Sequence, residues 1–121
     1  MATPITAPML ELRNPDTGRL DARRIAGYLA IPLSRLAPAL GRKYGTLHKA
    51  PDAPAVQEQL APIAHSIEML LEVLDDRAAV LAWMNAPHPD LGGRTPLAVI
   101  EMGLTNAVEG MLQAALWGIP T

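Results

Sequence analysis

Val56, Leu60, Ile63, Ile67, Leu70, Leu71 and Leu74 recur with a period of 3.6 residues. That spacing predicts one long helix with a single apolar face, opened by Asp52 as its cap. Pro62 lies inside the stripe without disturbing its phase, so the pattern predicts a kink and not a break. The missing hydrogen bond and ring clash cost about 3 kcal/mol, which packing must offset. A helix with one apolar face needs helical or sheet neighbours to cover it. Here they are helices, because Leu and Ala dominate the apolar residues, Phe is absent and aromatic residues make up 3% of the chain. That composition disfavours a β-sandwich or a doubly wound sheet. With 121 residues the chain is one domain or two very small ones.

Local signals place the other helices. Residues 1–18 hold Pro4, Pro8 and Pro15 and end in Asn14-Pro15-Asp16-Thr17-Gly18, which reads as a flexible arm closing in a turn. Asp21 caps a helix with Ala22, Ile25, Ala26 and Leu29 inward and Arg23 and Arg24 outward, stopped by Ile31-Pro32. Ser34 caps a short one, with Leu36, Ala37 and Leu40 inward and Gly41 as its stop. Asp76 starts another, with Val80, Leu81 and Met84 inward. Thr95-Pro96 is a cap followed by proline at the first helical position, a strong start. Thr105 caps the last helix, with Val108, Met111, Leu112, Ala115 and Leu116 on one face and Gly110 available for a close helix approach. Gly118 fits its end, with Ile119 placed for the hydrophobic contact of a Schellman motif. The expectation is six or seven helices, no strand, no internal repeat and no low-complexity tract.

Several chemistries lack their residues. Cysteine is absent, which removes disulfides, iron–sulfur clusters and a thiol nucleophile and suits a reducing cytosol. His65 and Glu68, and His88 with Asp90, form pairs where a metal needs three or four converging ligands. Ser34 and Ser66 lie in no nucleophile elbow, and there is no dinucleotide or P-loop glycine pattern. Gly92-Gly93-Arg94-Thr95 ahead of a helix start could cradle an anion. Two glycines before a capped helix equally make an ordinary turn, which is the preferred reading. Met1–Leu10 carries no basic residue of a secretory signal, and no apolar run reaches membrane-spanning length. The expectation is a cytoplasmic, non-enzymatic binder without metal, cofactor or membrane.

Charge is divided along the chain. Residues 1–50 hold eight basic side chains against Glu11, Asp16 and Asp21, whereas residues 51–121 hold Arg77 and Arg94 against nine carboxylates. The basic half also carries a helix-turn-helix spacing: small Ala37 in a first helix, Gly41 in the turn and apolar Leu47 in a second helix. The outer positions of that second helix are Arg42, Lys43, Tyr44, Thr46, His48 and Lys49, residue types suited to phosphates and base edges. Pro38 within the first helix and Gly45 within the second weaken both helices.

The stretch Trp83-Met84-Asn85-Ala86-Pro87-His88-Pro89-Asp90-Leu91-Gly92-Gly93-Arg94-Thr95-Pro96 resembles the signature of the MbcA/ParS/Xre antitoxin family, roughly W-L-x-x-P-N/H-x-x-L-x-G-x-x-P. The segment from Arg19 to Ala26 and the helix-turn-helix after it are similar to the N-terminal half of the same proteins. The resemblance implies an all-α fold, with an Xre-like helix-turn-helix over residues 19–51 and a small helical toxin-binding domain over 52–121. It implies the antitoxin of a type II toxin–antitoxin module whose partner is a RES-domain toxin, an enzyme that destroys NAD. In this family the C-terminal domain blocks the toxin's active site and the N-terminal domain can bind the operon's promoter. Carried onto this chain, the toxin-binding residues are Gly92, Gly93, Arg94, Thr95 and Pro96, with Leu116, Trp117, Gly118, Ile119, Pro120 and Thr121 at the end that reaches the toxin.

Trp117 at an apolar terminus is a candidate hot spot, or else it closes the core. Trp83 is expected inside. A homodimer and a hetero-oligomer with the toxin are expected, because helix-turn-helix proteins commonly share a two-fold axis with their operators. The alternative is a stand-alone helix-turn-helix transcription regulator whose C-terminal half serves dimerisation. A third reading, a small helical adaptor, has neither role.

Overall fold

Ile63, Ile67 and Leu70 all reach the centre of the molecule, and the helix that carries them organises everything else. The computed structural model describes residues 9–118. In chain order its helices are α1 (Ala22–Tyr28), α2 (Leu33–Leu36), α3 (Tyr44–Lys49), α4 (Gln57–Leu74), α5 (Arg77–Met84), α6 (Pro96–Glu101) and α7 (Thr105–Trp117). Short 3-10 turns occupy Leu10–Leu12, Ala37–Leu40, Pro54–Val56 and Pro89–Leu91. Among the described residues the fold is all-α, and the one β-type pairing is an isolated antiparallel bridge between Arg13 and Leu20. No helix among them is long and apolar enough to cross a membrane.

The central helix runs unbroken through Pro62. The buried Ser66 hydroxyl donates to the Pro62 carbonyl at 2.8 Å, one turn back, so its polar group is satisfied inside the helix. Met69, off the predicted stripe, is buried as well, because α4 is covered on more than one side. Each large aliphatic side chain fully buried here contributes about 1.5–3 kcal/mol. The helix packs mainly on α7 and α5, and α6 lies against α7. Buried residues from both halves of the chain join one core, from Leu12, Ile25 and Leu36 to Ile100, Val108 and Leu112. Two ties reinforce that continuity. The Arg35 guanidinium grips both Glu101 oxygens, at 2.8 and 2.6 Å. Arg77 donates to the carbonyls of Tyr28 and Gly27 at 3.0 Å each, with its guanidinium carbon 5.4 Å from the Tyr28 ring centre.

Several caps differ from expectation, for identifiable reasons. Asp21 accepts from the Arg23 and Arg24 amides, Asp76 from Ala78 and Thr95 from Ala98, as the sequence indicates. Asp52 does not cap α4. It is drawn into the turn preceding α1, where Thr17 (2.8 Å), Arg19 (3.2 Å) and Asn14 (3.3 Å) all donate to its Oδ2. The long helix starts at Gln57, four residues later than a cap at Asp52 would place it, behind the Pro54–Val56 turn. Ser34 lies inside α2, which begins at Leu33 behind Pro32. Thr105 is itself the first residue of α7 and is buried, so it is not the cap.

The N-terminal segment also differs from a flexible arm over its described part. Leu12 is fully buried, the Asp21 amide donates to its carbonyl at 3.0 Å, and the Met9 amide donates to Glu68 of α4 at 2.9 Å. Residues before Met9, with Pro4 and Pro8, lie outside the described residues.

Candidate functional site

Two surfaces gather the chemistry-bearing residues. The first is built on α3. Proline has no amide to continue an α-helix, and Pro38 converts the end of the α2 segment into the Ala37–Leu40 3-10 turn. Gly41 then takes the left-handed conformation (φ 65°). Lys43 is the residue preceding α3, so Arg42 and Lys43 belong to the turn and not to the helix. Ala37 and Leu47 are buried, as a close crossing of the two helices requires. Arg42, Lys43, Tyr44, Thr46, His48 and Lys49 are all exposed.

These residues are not independent. The Tyr44 and His48 rings stack with centroids 5.5 Å apart. Arg23 of α1 donates to His48 Nδ1 at 2.8 Å and to the His48 carbonyl at 3.2 Å. Arg42 donates to the Ala55 carbonyl at 3.3 Å. The sequence reading places Arg23 on an outer face without joining it to this surface. Its 25-residue separation from His48 leaves no local pattern to reveal the pairing.

The second surface lies at the opposite end of the chain, around α7. This helix is held to α4 by His65, whose Nδ1 lies 2.8 Å from Glu109, while the Trp117 ring tilts over His65 at 6.3 Å. Val108 and Leu112 face the core. The expected inward face is nevertheless split: Met111 and Leu116 are partly buried and Ala115 is exposed. These three, with Leu70, Val73, Leu74, Trp83, His88 and Asp90, line a groove of about 240 Å³ between α4, α5 and α7. Asp90, Met111 and Ala115 also border a second depression of about 510 Å³ running along α7 past Ala107, Gly110 and Ala114. Gly110, partly buried, lines this depression.

The loop from His88 to Thr95 is a closed hydrogen-bonded turn. His88 donates to the Arg94 carbonyl at 3.1 Å, Gly93 to His88 at 3.0 Å, Gly92 to Pro89 at 3.0 Å and Arg94 to Leu91 at 3.2 Å. Gly92 (φ 68°) and Gly93 (φ 82°) supply the left-handed residues it needs. The amides of Gly92, Gly93 and Arg94 are spent on carbonyls of the same loop, which favours the ordinary turn over an anion cradle. Thr95 and the buried Pro96 start α6. The His88 ring sits 4.7 Å from that of Trp83, which is half-buried against the core.

Of the residues expected to meet a toxin, the structure brings Leu116 to the groove beside His88 and Asp90. Gly92 to Pro96 shape the adjoining loop without lining it. Trp117 is half-buried against the core, and Gly118 ends α7 in the left-handed conformation. Ile119, Pro120 and Thr121, and the contact expected of Ile119, lie outside the described residues. Val73, Leu74, Met111 and Ala115 were missed as surface residues. The only available signal was that their helices carry more apolar residues than one buried stripe can use. No group of three or more His, Asp or Glu side chains that could hold a metal occurs among the described residues.

Comparison with known proteins bears on this second surface. Residues 69–118 match the family model described as the antitoxin Xre/MbcA/ParS C-terminal toxin-binding domain. No curated protein and no solved structure matches the chain.

Proposed function

We propose that the chain is an Xre/MbcA/ParS antitoxin, on the strength of the toxin-binding domain matched over residues 69–118, and that it is the antitoxin of a type II toxin–antitoxin pair. Its partner is a RES-domain toxin that degrades NAD, and it neutralises that enzyme by occluding the active site with the end of α7 and the residues after it. It acts in the cytoplasm as a binding protein and not as a catalyst, as a homodimer that assembles with the toxin into a hetero-oligomer.

The family match is the observation that carries this reading. Two physical features support it. α7 is anchored on one face to α4 and α6 and leaves Ala107, Gly110, Ala114 and Ala115 beside open depressions, a surface another protein can approach closely. The carboxylate excess of residues 51–121 complements the basic pocket a dinucleotide's phosphates require and would steer encounter.

The α3 surface supports a second task, autoregulation through operator DNA. Exposed Arg42, Lys43, Tyr44, Thr46, His48 and Lys49 follow a Gly41 turn, as in a helix-turn-helix that enters the major groove. The division between residues 19–51 and 52–121 is then one of working surfaces built on a shared core.

Co-expression of the tagged chain with the toxin gene beside its own tests the reading. Both proteins are expected to elute as one stoichiometric complex. A toxin that passes through the column while the folded chain is retained contradicts it. The stand-alone regulator predicts that latter result, with operator binding intact.

A further inference from the structure

We propose that the groove between α4, α5 and α7 receives a single apolar side chain of the toxin, presented by a segment whose flanking residues are Lys or Arg. This rests on the antitoxin reading and deepens it, by naming the surface and the chemistry of the partner segment.

The size of the groove is the first argument. At about 240 Å³ it lies below the roughly 300–1,000 Å³ of small-molecule pockets, which suits a side chain better than a cofactor. Its walls are the second. Leu70, Leu74, Trp83, Met111 and Leu116 are apolar, and Val73 beside them is 57% exposed, so the apolar lining continues onto the open surface.

Charge decides the occupant. Asp90 forms part of the wall, and exposed Glu72, Asp75 and Asp76 flank Val73 and Leu74 at the α4–α5 junction. Asp76 also caps α5 through one carboxylate oxygen. On the basic side, Arg77 has its guanidinium engaged by the Gly27 and Tyr28 carbonyls, and Arg94 stands on the neighbouring loop. An apolar cleft with an acidic rim is complementary to an apolar anchor between cations, and not to a second copy of the same acidic surface.

The test measures binding of the purified full-length chain to a catalytically inactive form of the toxin, at low and high salt. Ala115→Trp fills the groove from an exposed position and should weaken Kd at least tenfold. Val73→Ser, also exposed, should weaken it several-fold. Glu72→Gln with Asp90→Asn should slow association several-fold at low salt and converge on wild type at high salt. Thermal melts check that each variant is folded. Unchanged toxin binding by both Ala115→Trp and Val73→Ser overturns the groove assignment while leaving the antitoxin reading standing. Failure of the wild-type chain to bind overturns both. If the two substitutions instead change only the self-association of the antitoxin, the occupant is a second copy and the proposal is wrong.

Discussion

Asp52 shows how much one side chain can contribute to holding segments together. Its carboxylate collects Thr17, Arg19 and Asn14, and so fastens the turn before α1 to the segment that leads into α4. The Thr17 hydroxyl, aided by the Arg19 guanidinium and the Asn14 amide, holds the Asp52 carboxyl below its ordinary value. A pKa lowered on folding stabilises the protein above the unfolded value of about 3.9. That stabilisation fades as pH falls through the folded pKa. Asp52→Asn is therefore expected to lower Tm at pH 7, and the gap to wild type to close on acidification; calorimetry across pH checks it. The residue was legible as a helix cap and in fact serves elsewhere. Its partners lie 33 to 38 positions away, a distance at which spacing carries no information.

At the scale of elements, local chemistry was readable where it was strong. Asp21, Asp76 and Thr95 cap the helices they precede, because their oxygens satisfy amides two or three residues on. The stripe from Val56 to Leu71 is inward as its period requires, while Leu74 ends on the rim of the groove. The periodicity of α7 could not tell core from groove, since a hydrophobic face looks the same whether its own chain or another covers it. The two glycines around α3 make the turn testable. Gly41 has φ 65° and open space where a Cβ would sit, so Gly41→Ala should destabilise through backbone strain alone, by about 1–2 kcal/mol. Gly45 has an ordinary φ and equally open space, so Gly45→Ala should stabilise α3 by up to about 1 kcal/mol. Denaturant titration of both variants reads the opposite signs. Equal effects would mean that the turn before α3 is not the left-handed one described.

For the whole molecule, one core carries two surfaces of opposite charge. On the basic one, Arg42→Ala with Lys49→Ala should weaken operator binding and reduce its salt slope by about one per lost phosphate contact. Fluorescence anisotropy over a salt series measures this, and an unchanged slope would remove α3 from the DNA reading. The same double substitution should leave toxin neutralisation intact, since neither residue lines the groove or the depression beside α7. On the other surface, the family signature around Trp83 to Pro96 was readable as a motif. The groove it helps to wall was not, because Val73, Trp83, Asp90 and Ala115 converge only after α4, α5 and α7 have packed. The most direct measurement of the central claim is growth and intracellular NAD in cells that express the neighbouring toxin with and without this chain. Toxin alone should halt growth and deplete NAD, and co-expression of the chain should restore both. Cells that stay depleted of NAD while they accumulate the folded chain would contradict the account.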